Sequence, residues 1–156
     1  MNDVETVLAH AEQSCKANGA RLTGKRKQVL AGLLHSERAL SAYELVDYCQ
    51  QAFGESLPAM SVYRILDFLE GEELVHKLRL ANKYVACSHI TCDHAHAVPQ
   101  FLICNNCQRV REISIDKKVV QELQRNVEAA GYRLRSPQLE MNCLCDDCLL
   151  QEAESS

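Results

Sequence analysis

Two pairs of cysteines, Cys104-Asn105-Asn106-Cys107 and Cys145-Asp146-Asp147-Cys148, constrain this chain more than any other feature. Each CxxC turn presents two thiolates at the spacing of a zinc knuckle, so that four sulfurs can meet tetrahedrally around one ion. The 37 residues between the pairs exceed the usual zinc-ribbon spacing, and a predicted helix and strand fill the interval. Four thiolates leave no open coordination position, so this zinc is expected to stabilise the fold and neither to catalyse nor to sense. Cys143, two residues before Cys145, is expected to be a spare buried thiol.

The chain starts on an acidic stretch without a secretion-signal pattern and has no run of about 18 apolar residues, so the expectation is a cytoplasmic protein with no membrane span. In a reducing compartment, nine cysteines read better as metal ligands and buried thiols than as a disulfide framework. Of the fifteen Cys and His residues, eleven fall between His76 and Cys148, which places the metal chemistry in the C-terminal half. The net charge is −4, shared evenly between residues 1–80 and the remainder. Nucleic-acid binding by bulk charge is thereby disfavoured, and any such contact must use a local patch.

Apolar periodicity predicts four helices before residue 72. The first is capped by Asp3 and stopped at Gly19, and the second starts at Thr23 with Val29, Leu30, Leu33 and Leu34 on one face. Ser41-Ala42-Tyr43-Glu44 forms a capping box for the third, which stops at Gly54, and the fourth follows Pro58 and ends at Gly71. Residues 74–80 and 83–87 then read as a hairpin around Ala81-Asn82. Helices followed by a hairpin give a winged helix-turn-helix over residues 1–87. A His- and Cys-rich connector at 88–98 is taken as the hinge. Residues 99–156 are expected to form a small α/β domain, with strands at 100–103 and 109–113 and a further extended segment at 132–134 and 138–143. Its helix is capped by Asp116, with Val119, Val120, Leu123 and Val127 inward, and a short helix ends the chain at 146–154. The fold class is α+β.

A second set of candidate ligands comprises His76, Cys87, His89, Cys92, His94, His96 and Glu112. Mixed imidazole, thiolate and carboxylate groups drawn from several elements suit a zinc site whose occupancy fixes those elements relative to one another. Near the N-terminus, Lys16, Arg21, Lys25, Arg26 and Lys27 form a positive stretch with no acidic residue between Gln13 and Ser36, suited to phosphate contacts. Tyr63 and Arg64, on the helix before the hairpin, could reach base edges or phosphates in a major groove.

Taken in order, Arg21-Leu22-Thr23, Ser41-Ala42-Tyr43-Glu44-Leu45, Ser61-Val62-Tyr63-Arg64, Leu66-Asp67-Phe68-Leu69, Leu74-Val75-His76-Lys77 and both CxxC pairs resemble the ferric uptake regulator family over roughly residues 8–150, closest to its zinc uptake branch. The resemblance implies an N-terminal winged helix that binds DNA, a C-terminal dimerisation domain, and a metal at the hinge. It maps the structural zinc onto Cys104, Cys107, Cys145 and Cys148, and the sensor zinc onto His76, Cys87, His96 (with His94 as the alternative) and Glu112. The expected complement is two zinc ions per chain, one structural and one regulatory. Candidate DNA contacts are Arg21, Thr23, Lys25, Arg26, Ser61, Tyr63 and Arg64. Two departures stand out: Ser61 occupies a position where the family usually has Thr, and the spacing from Cys87 to His96 leaves the third sensor ligand open between His94 and His96.

The sequence therefore leads to a homodimeric, zinc-responsive repressor of zinc-uptake genes that binds a palindromic double-stranded operator and uses no small-molecule substrate. Cys87 favours zinc over the iron or peroxide sensors of the same family, because a thiolate suits the softer metal. Catalysis is not expected. His35-Ser36-Glu37 with Cys104 and Cys107 superficially matches the zinc-deaminase pattern, but Ile103 replaces its proline and the second CxxC pair would be unexplained. A zinc buffer or chaperone without DNA binding is opposed by the winged-helix pattern.

Overall fold

The computed structural model describes residues 3–36, 38–79, 81–88, 90–91, 99–135 and 138–155. The chain divides into two compact units, residues 1–93 and 94–156.

In the first unit, helices α1 (Val4–Ala17), α2 (Gly24–His35), α3 (Ala42–Phe53) and α4 (Ala59–Gly71) precede a hairpin of β1 (Val75–Leu78) and β2 (Lys83–Ala86). Side-chain chemistry sets the starts of α2 and α3, whereas Asp3, the expected cap of α1, stands at the N-cap position without a side-chain cap bond. The Thr23 hydroxyl accepts from the Arg26 backbone N–H at the start of α2. At α3, Ser41 and Glu44 satisfy each other's backbone N–H groups in a full capping box, and Gly54 closes the helix in the left-handed region at φ 67°. The hairpin turns at Asn82, whose φ of 51° suits a residue tolerant of that region. Its register pairs His76 with Val85 and Lys77 with Tyr84, and an isolated bridge from Leu40 to Tyr84 ties the wing to the segment before α3.

One core holds this unit together. Val29, Leu30, Leu45, Val62, Leu66, Leu69, Val75 and Tyr84 are buried in it with Cys15 and Cys49. Helices α2 and α3 approach so closely that a Cβ at Gly32 would lie 2.9 Å from the Tyr48 ring and 3.0 Å from Leu45, which explains a glycine in mid-helix.

The second unit is a three-stranded sheet ordered β4-β3-β5, with β3 at Gln100–Cys104, β4 at Val110–Ile113 and β5 at Glu140–Cys143. Strand β3 runs antiparallel to β4 and parallel to β5. Helix α5 (Lys117–Ala129), capped by the Asp116 carboxylate, makes the crossover, and α6 (Asp146–Ser155) follows β5. Expected and observed packing part ways at α5. The apolar face predicted to point inward contains no fully buried residue: Val119 is 54% exposed, and Val120, Leu123 and Val127 are half-buried. Periodicity reports that a helix has an apolar face, not what covers it. Residues 132–134, expected to be extended, form no strand. Among the described residues no helix is long and apolar enough to cross a membrane.

Candidate functional site

The two CxxC turns are brought together by the sheet. Cys104 ends β3 and begins the first knuckle. Its Cα partner across the parallel ladder is Cys143, so the second knuckle, two residues later, starts alongside. The Asn105 N–H bonds the Cys143 carbonyl at 3.0 Å and fixes the two loops side by side. The four sulfurs of Cys104, Cys107, Cys145 and Cys148 all lie within 4.8 Å of one another. Sγ of Cys104 is 3.7 Å from that of Cys148, and Sγ of Cys107 is 3.7 Å from that of Cys145. A zinc ion with four sulfurs at about 2.3 Å requires tetrahedron edges of about 3.8 Å; two of the separations match this and none exceeds 4.8 Å, so the donor set suits that ion.

Polar groups around the sulfurs favour the ionised form that a metal needs. The backbone N–H groups of Cys107 and Cys145 point at Cys104, the latter at 3.4 Å, and lower its thiol to about 6. At Cys148 the Asn106 side-chain amide, donating at 3.2 Å, pulls the thiol down. The neighbouring sulfurs of Cys145, Cys104 and Cys107, together with burial, outweigh it and push the thiol up to about 12. Negative charge on Cys104 thus opposes ionisation of Cys148 until a cation neutralises the pair. Asn106 is one contributor that the spacing alone does not reveal. Another is the ion pair between Arg109 and Asp147 at 3.0 Å, which joins the segment just after the first knuckle to the inside of the second.

The second candidate set is spread over both units. On the hairpin, His76 sits opposite Val85, and Cys87 lies two residues beyond Val85, so the two side chains share one face as diagonal neighbours. The Cys87 N–H bonds the Leu74 carbonyl at 2.8 Å and extends the pairing past the end of β2. The Sγ of Cys87 and an imidazole nitrogen of His76 lie within 4.8 Å. Cys87 is buried, and so is Nε2 of His76. Glu112 is half-buried on β4 of the second unit. His89, Cys92, His94 and His96 lie outside the described residues.

The candidate DNA contacts fall into distinct settings. On α4, Arg64 is exposed and Ser61 is half-buried, while Tyr63 packs partly against the core. Arg21 and Lys25 are exposed, and the Thr23 hydroxyl is committed to capping α2. The Arg26 guanidinium lies 3.7 Å over the Phe68 ring and donates to the Arg21 carbonyl at 2.7 Å. Lys27 pairs with Glu12 of α1 at 2.8 Å, and that ion pair holds the Glu12 carboxyl below its ordinary value.

Residues 17–142 match the sequence model of the ferric uptake regulator family. The chain belongs to that family. It is 35% identical to the zinc uptake regulation protein of Escherichia coli (strain K12), over 96% of this chain and 85% of that protein. Against the ferric uptake regulation protein of Helicobacter pylori (strain ATCC 700392 / 26695) the identity is 27%, over 99% and 97%. Among solved structures, a zinc uptake regulator complexed with zinc and DNA aligns with a TM-score of 0.84 at 31% identity, covering 98% of this chain and 99% of that one. Family membership accounts for the winged-helix order of the first unit.

Proposed function

We propose that the protein is a zinc-responsive transcriptional repressor, which binds palindromic operator DNA as a homodimer when its regulatory site is filled and so controls zinc-uptake genes. The observation that supports this reading most is the Cys87 thiol beside the His76 imidazole on the wing hairpin. A thiolate in a mixed sulfur and nitrogen set favours zinc over iron or manganese. The similarity to a regulator solved with zinc and DNA points the same way.

In this reading the regulatory ligands are His76, Cys87, His96 or His94, and Glu112, giving two zinc ions per chain with the four-cysteine site. Zinc bound by groups from both units would favour one arrangement of the two recognition helices of a dimer. Each tenfold preference for that arrangement corresponds to about 1.4 kcal/mol. Arg64 and Ser61 on α4 would face the major groove, with Arg21 and Lys25 on adjoining phosphates. The incompletely buried apolar face of α5 supports self-association, because a second copy can bury the rest of it.

The test is a DNA mobility-shift titration of metal-free protein with zinc, iron or manganese, with metal counted per chain. Zinc alone is expected to drive binding, and only once the second equivalent is taken up. Full binding with the four-cysteine site alone filled, unchanged by more zinc, would overturn the regulatory assignment.

A further inference from the structure

The basic stretch from Lys16 to Lys27 reads in sequence as one phosphate-binding strip, yet its cations occupy two environments. Lys16, Arg21 and Lys25 are exposed. Lys27 is held by Glu12, and the half-buried Arg26 has its guanidinium engaged by its own unit, 3.7 Å over the Phe68 ring and bonded to the Arg21 carbonyl at 2.7 Å. Phe68 belongs to α4, and its spacing from Ser61 and Arg64 places all three on one stripe of that helix. Arg26 thus grips the C-terminal end of the stripe whose N-terminal end carries Ser61 and Arg64. Through the Arg21 carbonyl it also fixes the loop that presents Arg21.

Resting on the DNA-binding function proposed above, we infer that Arg26 is a positioning residue, which sets the rotation of α4 through Phe68, and not a phosphate contact. Side chains reach about 6 Å from a helix axis, so a rotation of about 20° displaces their tips by about 2 Å, enough to lose a directional hydrogen bond to a base. A guanidinium does this better than an ammonium. Its plane stacks on a ring while an edge N–H bonds a carbonyl, and a lysine supplies neither the plane nor the fork.

The zinc-loaded full chain is compared with Arg26→Lys, Arg26→Met and Lys25→Gln. The probes are a duplex selected from a random library by the wild type and a random-sequence duplex of equal length. Both Arg26 variants are expected to lose about tenfold affinity for the selected duplex. Their binding to the random duplex and the slope of affinity against salt should stay at wild-type values. Lys25→Gln should weaken both duplexes and shallow the slope by about 0.9 for each phosphate no longer neutralised. Wild-type binding by Arg26→Lys, with a shallower slope and uniform weakening for Arg26→Met, would make Arg26 a phosphate contact and overturn the inference, as would wild-type behaviour of both. Amide exchange without DNA supplies a separate readout. Faster exchange across residues 61–68 in both variants, with α1 unchanged, supports the hold on α4, and unchanged exchange overturns it. A wild type that selects no duplex would instead sink the DNA-binding reading, with the exchange result still deciding the role of Arg26.

Discussion

A thiol is only as reactive as its surroundings allow, and the cysteines of this chain divide on that ground. Cys15 and Cys49 lie wholly inside the helical core, where burial raises both thiols above their ordinary 9.0 and keeps them neutral, so they act as small hydrophobes. Cys104 is the opposite case, because backbone N–H groups aimed at its sulfur stabilise the thiolate. Asn106 supports the same site without offering a ligand atom of its own, through its amide on Cys148. Asn106→Ala should therefore weaken zinc retention by the four-cysteine site about 10- to 100-fold, read by competition with a chromophoric chelator. Unchanged retention would mean that the amide only follows the loop. Cys87→Ser tests the other proposed site: the variant should keep its fold and one zinc per chain but lose zinc-dependent DNA binding. If it unfolds, Cys87 is a structural residue and not a regulatory one.

Elements bounded by local chemistry are legible in the sequence, and those that depend on distant or absent partners are not. The capping box of α3 is an example of the first kind, since Ser41 and Glu44 are three residues apart and bond each other's backbone. Ser41→Ala should cost about 1 kcal/mol, lowering the melting temperature of the first unit by about 4–8 °C. The Ser41 backbone N–H, with help from its hydroxyl and from Lys83, holds the Glu44 carboxyl below its ordinary 4.5. A depressed folded value means that the charge stabilises above pH 4.5, and that this gain is lost as pH falls through the lower folded value. The melting-temperature gap between wild type and Glu44→Gln should accordingly close on acidification, and a gap that widens would contradict the cap. Helix α5 is the second kind. Its amphipathic spacing is plain in Val119, Val120, Leu123 and Val127, yet none of these residues is fully buried among the described residues of the single chain. Leu123→Asp should convert a dimer to a monomer in sedimentation while leaving far-ultraviolet dichroism unchanged. The ligands at His94 and His96 are equally undetermined by spacing and lie outside the described residues.

The two units differ in what holds them, and that difference decides how the whole chain responds to metal loss. The first buries a continuous set of aliphatic side chains from four helices and the hairpin, enough for a core that needs no ion. In the second, the fully buried residues among those described are Gln100, Phe101, Cys104 and Cys148, two of which belong to the zinc site itself. Gln100 is satisfied through its side-chain oxygen, which accepts from the Leu139 N–H at 2.6 Å and pins the start of β5 to β3. Such a bond orders a strand but replaces little of the missing apolar burial. Structural zinc in small peptides is worth roughly 10–16 kcal/mol, larger than the total stability of most domains of this size. Stripping zinc with a strong chelator under reducing conditions should therefore melt the second unit while the helices of the first persist. Hydrogen exchange should show protection lost across residues 100–155 and retained across α2, α3 and α4, and calorimetry should show the remaining transition at reduced enthalpy. One cooperative transition spanning both units in the chelated protein would mean that the first unit depends on the second for its stability, and would overturn the claim that its core suffices.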